Sequence, residues 1–264
     1  MHTVLIVRCK TVLILGADYG FRGVKMRVKA VLFDLFDTLL MLESSKDFYT
    51  PCLKKLHEFL TNNGVSVSFE DFRLVYFEVR DRLYAEVEES LEEPHFNVRV
   101  SWTLRRLGYN FDVSHPIVVG ATDAFAEEFV RYVRLDDDAS NILRKLRRKY
   151  KLGLVSNFAI PKCVWRLLDK FGLGEFFDVV LVSAEVNRRK PSPEIFERAL
   201  KALGVDASEA VFVGDTPSLD VKGSKNVGMK AVLIERRSIE EIVDVKPDRV
   251  ITSLRELLGV LELC

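Results

Sequence analysis

From Val28 onward the chain alternates between short apolar runs and longer segments in which apolar residues recur every three or four positions. Each short run ends in polar residues, which is typical of a strand that is buried on both faces of a sheet. The runs lie at 30–33, 152–155, 179–182, 210–213, 231–234 and 249–251. Because amphipathic helical segments separate them, we predict an α/β fold: a Rossmann-like parallel sheet with helices on both faces.

The stretch 41–136 breaks this alternation and carries helical patterns. These helices are indicated by Leu53, Leu56 and Leu60, by a capping box at Ser68–Asp71, and by apolar periodicity over 100–107 and 117–133. An insertion after the first strand is placed to cover that strand's carboxyl end, so we predict a helical cap over the active site. We expect Trp102 and the tyrosines of this stretch to pack mainly inside the helical bundle.

The rest of the chain divides into an N-terminal extension over 1–25 and a catalytic core over 26–40 and 137–264. The extension contains the segment TVLILGADYGFRG, whose glycine spacing is G-x-x-x-G-x-x-G. A dinucleotide-binding fingerprint has the spacing G-x-G-x-x-G and opens an amphipathic helix, and neither condition is met here. We therefore interpret residues 1–25 as an added hairpin or as an extension without a role in the chemistry.

Composition narrows the class of protein further. The 264 residues include 39 basic and 39 acidic side chains, and this zero net charge argues against binding a nucleic acid or a membrane surface by bulk charge. No apolar run approaches the roughly 20 residues of a membrane-spanning helix. Four scattered cysteines without a C-x-x-C pair indicate reduced thiols. We therefore expect a cytoplasmic protein with no nucleic-acid or membrane partner.

Polar residues that can do chemistry follow the predicted strands or precede a helix. They are Asp34, Thr38, Ser156, Asn157, Lys190, Asp215 and Asp220. Parallel strands end at one edge of the sheet, and ligands of such sheets bind at that edge. Three carboxylates, a lysine and hydroxyl groups that converge there can bind a divalent cation together with an anion, and magnesium is the cation that prefers carboxylate, water and phosphate oxygens.

These segments resemble the four motifs of the haloacid dehalogenase-like (HAD) superfamily of hydrolases. VLFDLFDTLL is similar to motif I, LVSN to motif II, RKPSPEIF to motif III and VFVGDTPSLDVKGSKNVGMKAV to motif IV, in the family's order. The helical insertion lies where the family's C1-type cap sits. The resemblance covers about residues 28–258 and implies a magnesium-dependent hydrolase of phosphate monoesters, which acts on a small phosphorylated metabolite through an aspartyl-phosphate.

The resemblance also implies a role for individual residues. Asp34 would be the nucleophile that attacks phosphorus, and Lys190 would neutralise both the nucleophile and the phosphoryl oxygens. Thr38 would orient the nucleophile's loop at the phosphate site. Ser156 and the amide of Asn157 would hold phosphoryl oxygens.

The magnesium site that the resemblance implies is built from motifs I and IV. Asp34 and the backbone carbonyl of Phe36 would bind the ion from the first strand. Asp215 would bind it directly or through water, and Asp220 would support either the metal or Lys190.

One departure from the family pattern leaves alternatives open. Phosphatases of the family usually have a second aspartate two residues after the nucleophile, as general acid and base, but this chain has Phe36 there and Asp37 in the next place. Successive side chains of an extended segment point in different directions, so Asp37 is not a simple substitute and the general acid stays unassigned. Dehalogenases of the family also lack the second aspartate, because a halide leaves without a proton.

Motif IV favours the phosphatase. Family dehalogenases need no metal and typically carry serine and asparagine where Asp215 stands, whereas the GDxxxxD arrangement here places negative charge beside Asp34 that calls for a cation. No convincing arginine follows motif I closely, where dehalogenases use one for the substrate carboxylate. The remaining alternatives are a metal-independent 2-haloacid dehalogenase, phosphoryl transfer to another acceptor, and a non-catalytic module that binds a phosphometabolite or a protein.

Overall fold

The computed structural model describes residues 28–42, 47–236 and 244–263, so the predicted extension over 1–25 lies outside the described residues. The described chain contains the strands β1 (Ala30–Phe33), β2 (Leu40–Leu42), β3 (Val133–Leu135), β4 (Lys151–Ser156), β5 (Val179–Val182), β6 (Ala210–Gly214), β7 (Lys230–Ile234) and β8 (Arg249–Ile251). Six of them form one sheet in the order β5-β4-β1-β6-β7-β8. All neighbouring pairs in this sheet are parallel, which confirms the predicted fold class.

The helices lie on both faces of this sheet and in the insertion that precedes β3. They are α1 (Tyr49–Asn62), α2 (Phe69–Glu86), α3 (Phe96–Arg106), α4 (Pro116–Phe129), α5 (Ala139–Leu146), α6 (Pro161–Lys170), α7 (Ser183–Val186), α8 (Pro193–Leu203), α9 (Lys222–Asn226) and α10 (Leu257–Leu263). Each long core helix buries the apolar face that its periodicity predicts; Val164, Leu167 and Leu168 of α6, for example, are fully buried. The buried strand β1 lies between β4 and β6, so the ends of two neighbouring strands flank its carboxyl end.

Helices α1 to α4, which we call the helical insertion, connect β2 to β3. These two strands form an antiparallel ribbon in which Leu42 pairs with Val133. We expected helix as far as Val133, but α4 ends at Phe129 and a short 3-10 turn leads into β3. The prediction of helix there was wrong, because pairing with β2 takes over where the β-branched Val133 can join a ladder. The ribbon ties both ends of the insertion to the segment that follows β1.

The predicted start of α2 is confirmed. The Ser68 hydroxyl oxygen accepts a hydrogen bond from the Asp71 N–H at 3.1 Å, which satisfies a free donor of the first helical turn. Main-chain hydrogen bonds also join the insertion to the core: the Phe96 N–H donates to the Ala159 carbonyl at 2.9 Å, and the Arg189 N–H donates to the Leu91 carbonyl at 2.9 Å. These bonds place the insertion over the carboxyl edge of the sheet. Within the described ranges, none of the helices combines the length and the apolar character that crossing a bilayer requires.

Candidate active site at the carboxyl edge of the sheet

Strand register brings the predicted site residues to one place. Phe33 at the end of β1 pairs with Leu154 of β4 on one side and with Val213 of β6 on the other. Asp34 follows directly, and its N–H donates to the Val213 carbonyl at 2.9 Å. Ser156 and Asp215 each lie two residues beyond these partners, so they flank Asp34 from the two neighbouring strands. The predicted convergence at the carboxyl edge therefore occurs.

Three buried carboxylates and one buried ammonium form the centre of the site. Carboxylate oxygens of Asp34, Asp215 and Asp220 all lie within 4.8 Å of one another. The Lys190 side chain is 2% exposed, and its Nζ contacts Asp34 Oδ1 and lies 2.7 Å from Asp220 Oδ1. When all four groups are ionised, negative charge exceeds positive charge in a space that water scarcely reaches.

The pKa values of these groups record that imbalance. The pKa of Asp34 is raised to about 7: burial raises it most, the ammonium of Lys190 lowers it, and the carboxylates of Asp220 and Asp215 raise it. Burial lowers the pKa of Lys190, but Asp220 and Asp34 outweigh burial and hold its pKa above the usual value. Lys190 is therefore a permanent cation here, while Asp34 needs a further positive charge to stay ionised.

The backbone after β6 has a shape that aims Asp220 at the site. Residues Pro217–Val221 form one π-helical turn, and Asp220 Oδ2 accepts a hydrogen bond from the Thr216 N–H at 2.9 Å. This turn folds Asp220 back against Gly214, where an added Cβ would lie only 2.6 Å from the Asp220 Cβ. Position 214 therefore needs glycine because any side chain would displace the carboxylate that holds Lys190.

Asn157 positions Lys190 through the main chain. Asn157 Oδ1 accepts a hydrogen bond from the Lys190 N–H at 2.8 Å, and Asn157 Nδ2 donates to the Lys190 carbonyl at 3.0 Å. The sequence suggested only a phosphate-binding amide at Asn157. The structure gives its side chain this second task, which no local sequence pattern could indicate because the two residues are 33 positions apart.

The predicted hydroxyl residues are fully buried, and their oxygens are unsatisfied. Thr38 Oγ1 and Ser156 Oγ have no hydrogen-bond partner among the described residues. Buried hydroxyls without a partner are costly, so both are suited to receive a polar ligand. Together with the three carboxylates of Asp34, Asp215 and Asp220, they offer the hard oxygen ligands and hydrogen-bond donors that a magnesium ion and a phosphoryl group require. The residues thus fit the ion that the resemblance implies.

Phe36 and Asp37 point to different surroundings. The Phe36 ring packs against Phe158 and Phe129, with ring centres 4.9 Å and 5.7 Å apart. Asp37 adopts a left-handed backbone conformation (φ 53°), and its N–H donates to the Leu40 carbonyl at 2.6 Å, so it forms the turn into β2. The aromatic side chain of Phe36 thus occupies the position of the usual second aspartate.

Phe36 lines a cavity of about 320 Å³ between the helical insertion and the core. Polar groups from the insertion also line it: Tyr49, Tyr84, Glu93 and Arg99. The expectation that the tyrosines of the insertion pack inside the bundle is right for Tyr76, which is fully buried, and wrong for Tyr49 and Tyr84. No pattern in the sequence marked Glu93 or Arg99, because neither lies in a motif and their surroundings come from three different helices.

Comparisons with known proteins agree with this architecture. The family model that matches residues 28–228 is that of the haloacid dehalogenase-like hydrolases. The chain is 32% identical to a glyceraldehyde 3-phosphate phosphatase of Pyrococcus furiosus over 89% of this chain and 94% of that protein. Among solved structures, a 2-haloacid dehalogenase from Pseudomonas syringae pv. Tomato is 26% identical (TM-score 0.71, 89% of this chain and 99% of that one). A HAD phosphatase from Thermococcus onnurineus is 29% identical (TM-score 0.59, 89% and 98%).

Proposed function

Because the chain belongs to the haloacid dehalogenase-like hydrolase family, we propose that it is a magnesium-dependent phosphatase of a small phosphorylated metabolite. The observation that carries this proposal is the buried group of Asp34, Asp215 and Asp220 around the ammonium of Lys190. Such a group has too much negative charge for a dry site and suits a cation and a phosphoryl group together. A relative that is similar over nearly its whole length is named as a phosphatase of a three-carbon phosphate ester, which supports the same class of substrate.

In the proposed reaction, a carboxylate oxygen of Asp34 forms a bond to phosphorus while the bond from phosphorus to the ester oxygen breaks. The leaving oxygen keeps the electron pair and takes up a proton. Water then attacks phosphorus, the bond to Asp34 breaks, and inorganic phosphate leaves with the carboxylate regenerated. Burial fits Asp34 for this role because its carboxylate, poorly solvated, is a stronger nucleophile than one in bulk water.

The other site residues hold the phosphoryl group. Lys190 offsets the charge of Asp34 and of the phosphoryl oxygens, and Asn157 keeps it in place from the main chain. The buried hydroxyl of Ser156, the main-chain N–H of Asn157 and the loop at Thr38 would surround the phosphoryl oxygens.

Asp34, Asp215 and the carbonyl of Phe36 would hold the magnesium ion, with Asp220 in support. When bound, the ion would supply the positive charge that lets the phosphate ester approach the ionised nucleophile.

The rival function is a 2-haloacid dehalogenase, since a structural neighbour has that name. A dehalogenase nucleophile attacks carbon without a metal ion, so Lys190 alone would have to offset the three carboxylates of this group. Asp215 and Asp220 would therefore raise the energy of the ionised Asp34 and work against the reaction. These two side chains favour the phosphatase.

The test is turnover of p-nitrophenyl phosphate and of small phosphate esters, with and without a chelator. We expect turnover that chelation abolishes and magnesium restores, and its loss in Asp34→Asn. Asp81→Asn is the matched control, because this carboxylate lies exposed on α2 and should not alter the rate. Halide release from 2-chloropropionate in the presence of chelator would instead establish the dehalogenase, and binding of phosphate esters without turnover would indicate a non-catalytic module.

A further inference from the structure

The cavity between the helical insertion and the core adjoins the proposed reaction centre. On the core side it is lined by Phe36, two residues after Asp34, and by Asn157, which binds Lys190. On the insertion side it is lined by Arg99 of α3. A substrate whose phosphate meets Asp34 therefore extends its other end into a space that contains a guanidinium.

Arg99 is 7% exposed and is surrounded by phenol groups. Its Nη1 donates to Tyr76 Oη at 3.0 Å and to Tyr49 Oη at 3.3 Å, and its Nη2 donates to Tyr84 Oη at 3.0 Å. Every hydrogen-bond acceptor that the described residues give it is thus a neutral oxygen. Its buried Nε has no acceptor at all among them.

This arrangement leaves donors of the guanidinium unused. Nη1 donates to two phenol oxygens and Nη2 to one, whereas Nε–H, which is buried in this conformation, has no acceptor among the described residues. A planar pair of N–H donors matches the two oxygens of a carboxylate. An arginine does not lose its charge on burial, and no anion among the described residues bonds to this guanidinium directly, so an anion that binds it offsets part of the cost of burial. Arg99 Cζ lies 5.0 Å from the ring centre of Phe96 and 5.2 Å from that of Tyr84, and these two rings hold the guanidinium in place.

Glu93 lines the same cavity but does not pair with Arg99 directly. Its Oε1 accepts a hydrogen bond from Tyr84 Oη at 3.1 Å, and its Oε2 accepts one from Ser183 Oγ at 3.3 Å. Each carboxylate oxygen of Glu93 therefore already accepts a hydrogen bond. One of the two donors is the Tyr84 hydroxyl, which itself accepts from Arg99. Of the two charged groups, Arg99 is the one with donors still to satisfy.

We propose that Arg99 binds a carboxylate of the substrate, so that the preferred phosphate esters carry a carboxylate a few bonds away from the phosphate. This inference rests on the proposed phosphatase function and narrows its substrate class. It distinguishes the chain from an enzyme whose substrate ends in an uncharged aldehyde or hydroxyl group. The carboxylate could belong to a hydroxy acid or to an amino acid, whose ammonium group would then lie near Glu93.

The test compares esters of similar size: 3-phosphoglycerate and O-phosphoserine carry a carboxylate, whereas glycerol 3-phosphate and glyceraldehyde 3-phosphate do not. In the wild type we expect a higher kcat/KM for the first pair. Arg99→Lys keeps the charge but loses the planar pair of donors, and it should lower kcat/KM for the carboxylate esters by about 10- to 100-fold, mainly through KM. For the two esters without a carboxylate the change should stay within about twofold. O-phosphoserine has an ammonium group where 3-phosphoglycerate has a hydroxyl group. The ratio of their kcat/KM values therefore shows whether the site prefers an amino acid or a hydroxy acid.

Arg106→Lys is the matched control, because this arginine lies exposed on the same helix and does not line the cavity. It should leave kcat/KM unchanged for all four esters. Binding is measured independently of turnover by calorimetry on Asp34→Asn, with and without Arg99→Lys, using 3-phosphoglycerate and glycerol 3-phosphate. Equal loss for both ligands, or a wild type that prefers the esters without a carboxylate, would overturn the role of Arg99. Absence of turnover for all four esters in a wild type that still binds 3-phosphoglycerate through Arg99 would instead refute the proposed phosphatase and leave the carboxylate site standing.

Discussion

The side chain of Asn157 holds the main chain of Lys190 by two hydrogen bonds: the Lys190 N–H donates to Asn157 Oδ1 at 2.8 Å, and Asn157 Nδ2 donates to the Lys190 carbonyl at 3.0 Å. Asn157 follows β4, whereas Lys190 belongs to the loop before α8. The two bonds therefore join neighbouring loops at the carboxyl edge of the sheet. Because Lys190 in turn bridges Asp34 and Asp220, Asn157 indirectly sets the position of the ammonium that contacts the nucleophile.

Replacing Asn157 should lower activity without removing any charge from the site. In Asn157→Ala both bonds to Lys190 are lost, and we expect kcat to fall about 10- to 100-fold, equivalent to about 1.4–2.8 kcal/mol of barrier. The thermal unfolding temperature should fall by a few degrees. Asn63→Ala is a fair control, since that side chain donates to a main-chain carbonyl on an exposed surface. Steady-state kinetics of both variants on p-nitrophenyl phosphate test this, and an unchanged kcat in Asn157→Ala would contradict it.

The raised pKa of Asp34 predicts how stability depends on pH when no metal is bound. Its pKa is about 7 in the folded protein and near 3.8 in the unfolded chain, so the folded state holds an extra proton between these values. The stability that this proton contributes is complete below pH 3.8 and is lost as the pH rises through 7. The asparagine in Asp34→Asn cannot ionise, so this variant does not lose that stability as the pH rises.

Urea unfolding in chelator at pH 5 and pH 8 measures the effect. Relative to Asp34→Asn, the wild type should lose on the order of 2–3 kcal/mol of unfolding free energy across this interval. Asp81→Asn should follow the wild type. Magnesium should restore stability to the wild type at pH 8 and have little effect on Asp34→Asn. Parallel pH profiles for the wild type and Asp34→Asn would show that Asp34 is not the group that titrates.

The parts of the fold that sequence could predict depend on local periodicity. The six strands of the main sheet, including β1 at Ala30–Phe33, match the apolar runs because strands buried on both faces need apolar residues throughout. Convergence of Asp34, Ser156 and Asp215 then follows from parallel topology, whereas the position of Lys190 also depends on the loop that Asn157 holds. The β2–β3 ribbon could not be predicted, because it pairs Leu40–Leu42 with residues more than 90 positions away.

The cavity residues were missed for a related reason. Arg99 lies on a helix with a clear apolar face, and nothing in its neighbours along the chain distinguishes it from a surface arginine. Its burial comes from Tyr49, Tyr76 and Tyr84, which reach it from α1 and α2. The contact between Glu93 and Ser183 joins residues 90 positions apart across the insertion and the core. Contacts of this kind depend on how helices pack, which periodicity does not specify.

Cys52 of α1 and Cys163 of α6 should be unreactive in the folded protein. Both are fully buried, and burial raises the pKa of each thiol to about 12. Because alkylation requires the thiolate, iodoacetamide at pH 8.5 should label them at least about 100-fold more slowly in the native protein than in urea. Peptide mass spectrometry after timed quenching gives both rates, and the same peptides in urea serve as the control. Comparable rates in the two conditions would mean that the packing of α1 and α6 against the core opens readily.

Phe36 predicts a strong dependence of the rate on the leaving group. A positioned general acid raises the rate by a factor of about 10²–10⁴. In this chain the aromatic ring of Phe36 stands where the family usually has that acid. Aryl phosphates with acidic phenols need little protonation, whereas alkyl phosphates need it. The wild type should therefore hydrolyse p-nitrophenyl phosphate much faster than phenyl or alkyl phosphates, with a steep plot of log kcat against leaving-group pKa. Phe36→Asp should raise the rate for alkyl phosphates more than for aryl ones and speed breakdown of the aspartyl-phosphate.

Phe36→Asn controls for the space left by the ring, since it has nearly the shape of aspartate but no ionisable proton. The gain for alkyl phosphates should appear in Phe36→Asp and not in Phe36→Asn. A shallow plot in the wild type would mean that another group already supplies the proton, and the structure offers two carboxyl groups to test. Glu93 lines the cavity, and burial raises the pKa of its carboxyl group, which favours the protonated form. Asp37 instead forms the turn into β2. Glu93→Gln should therefore steepen a shallow plot, whereas Asp37→Asn should leave it unchanged.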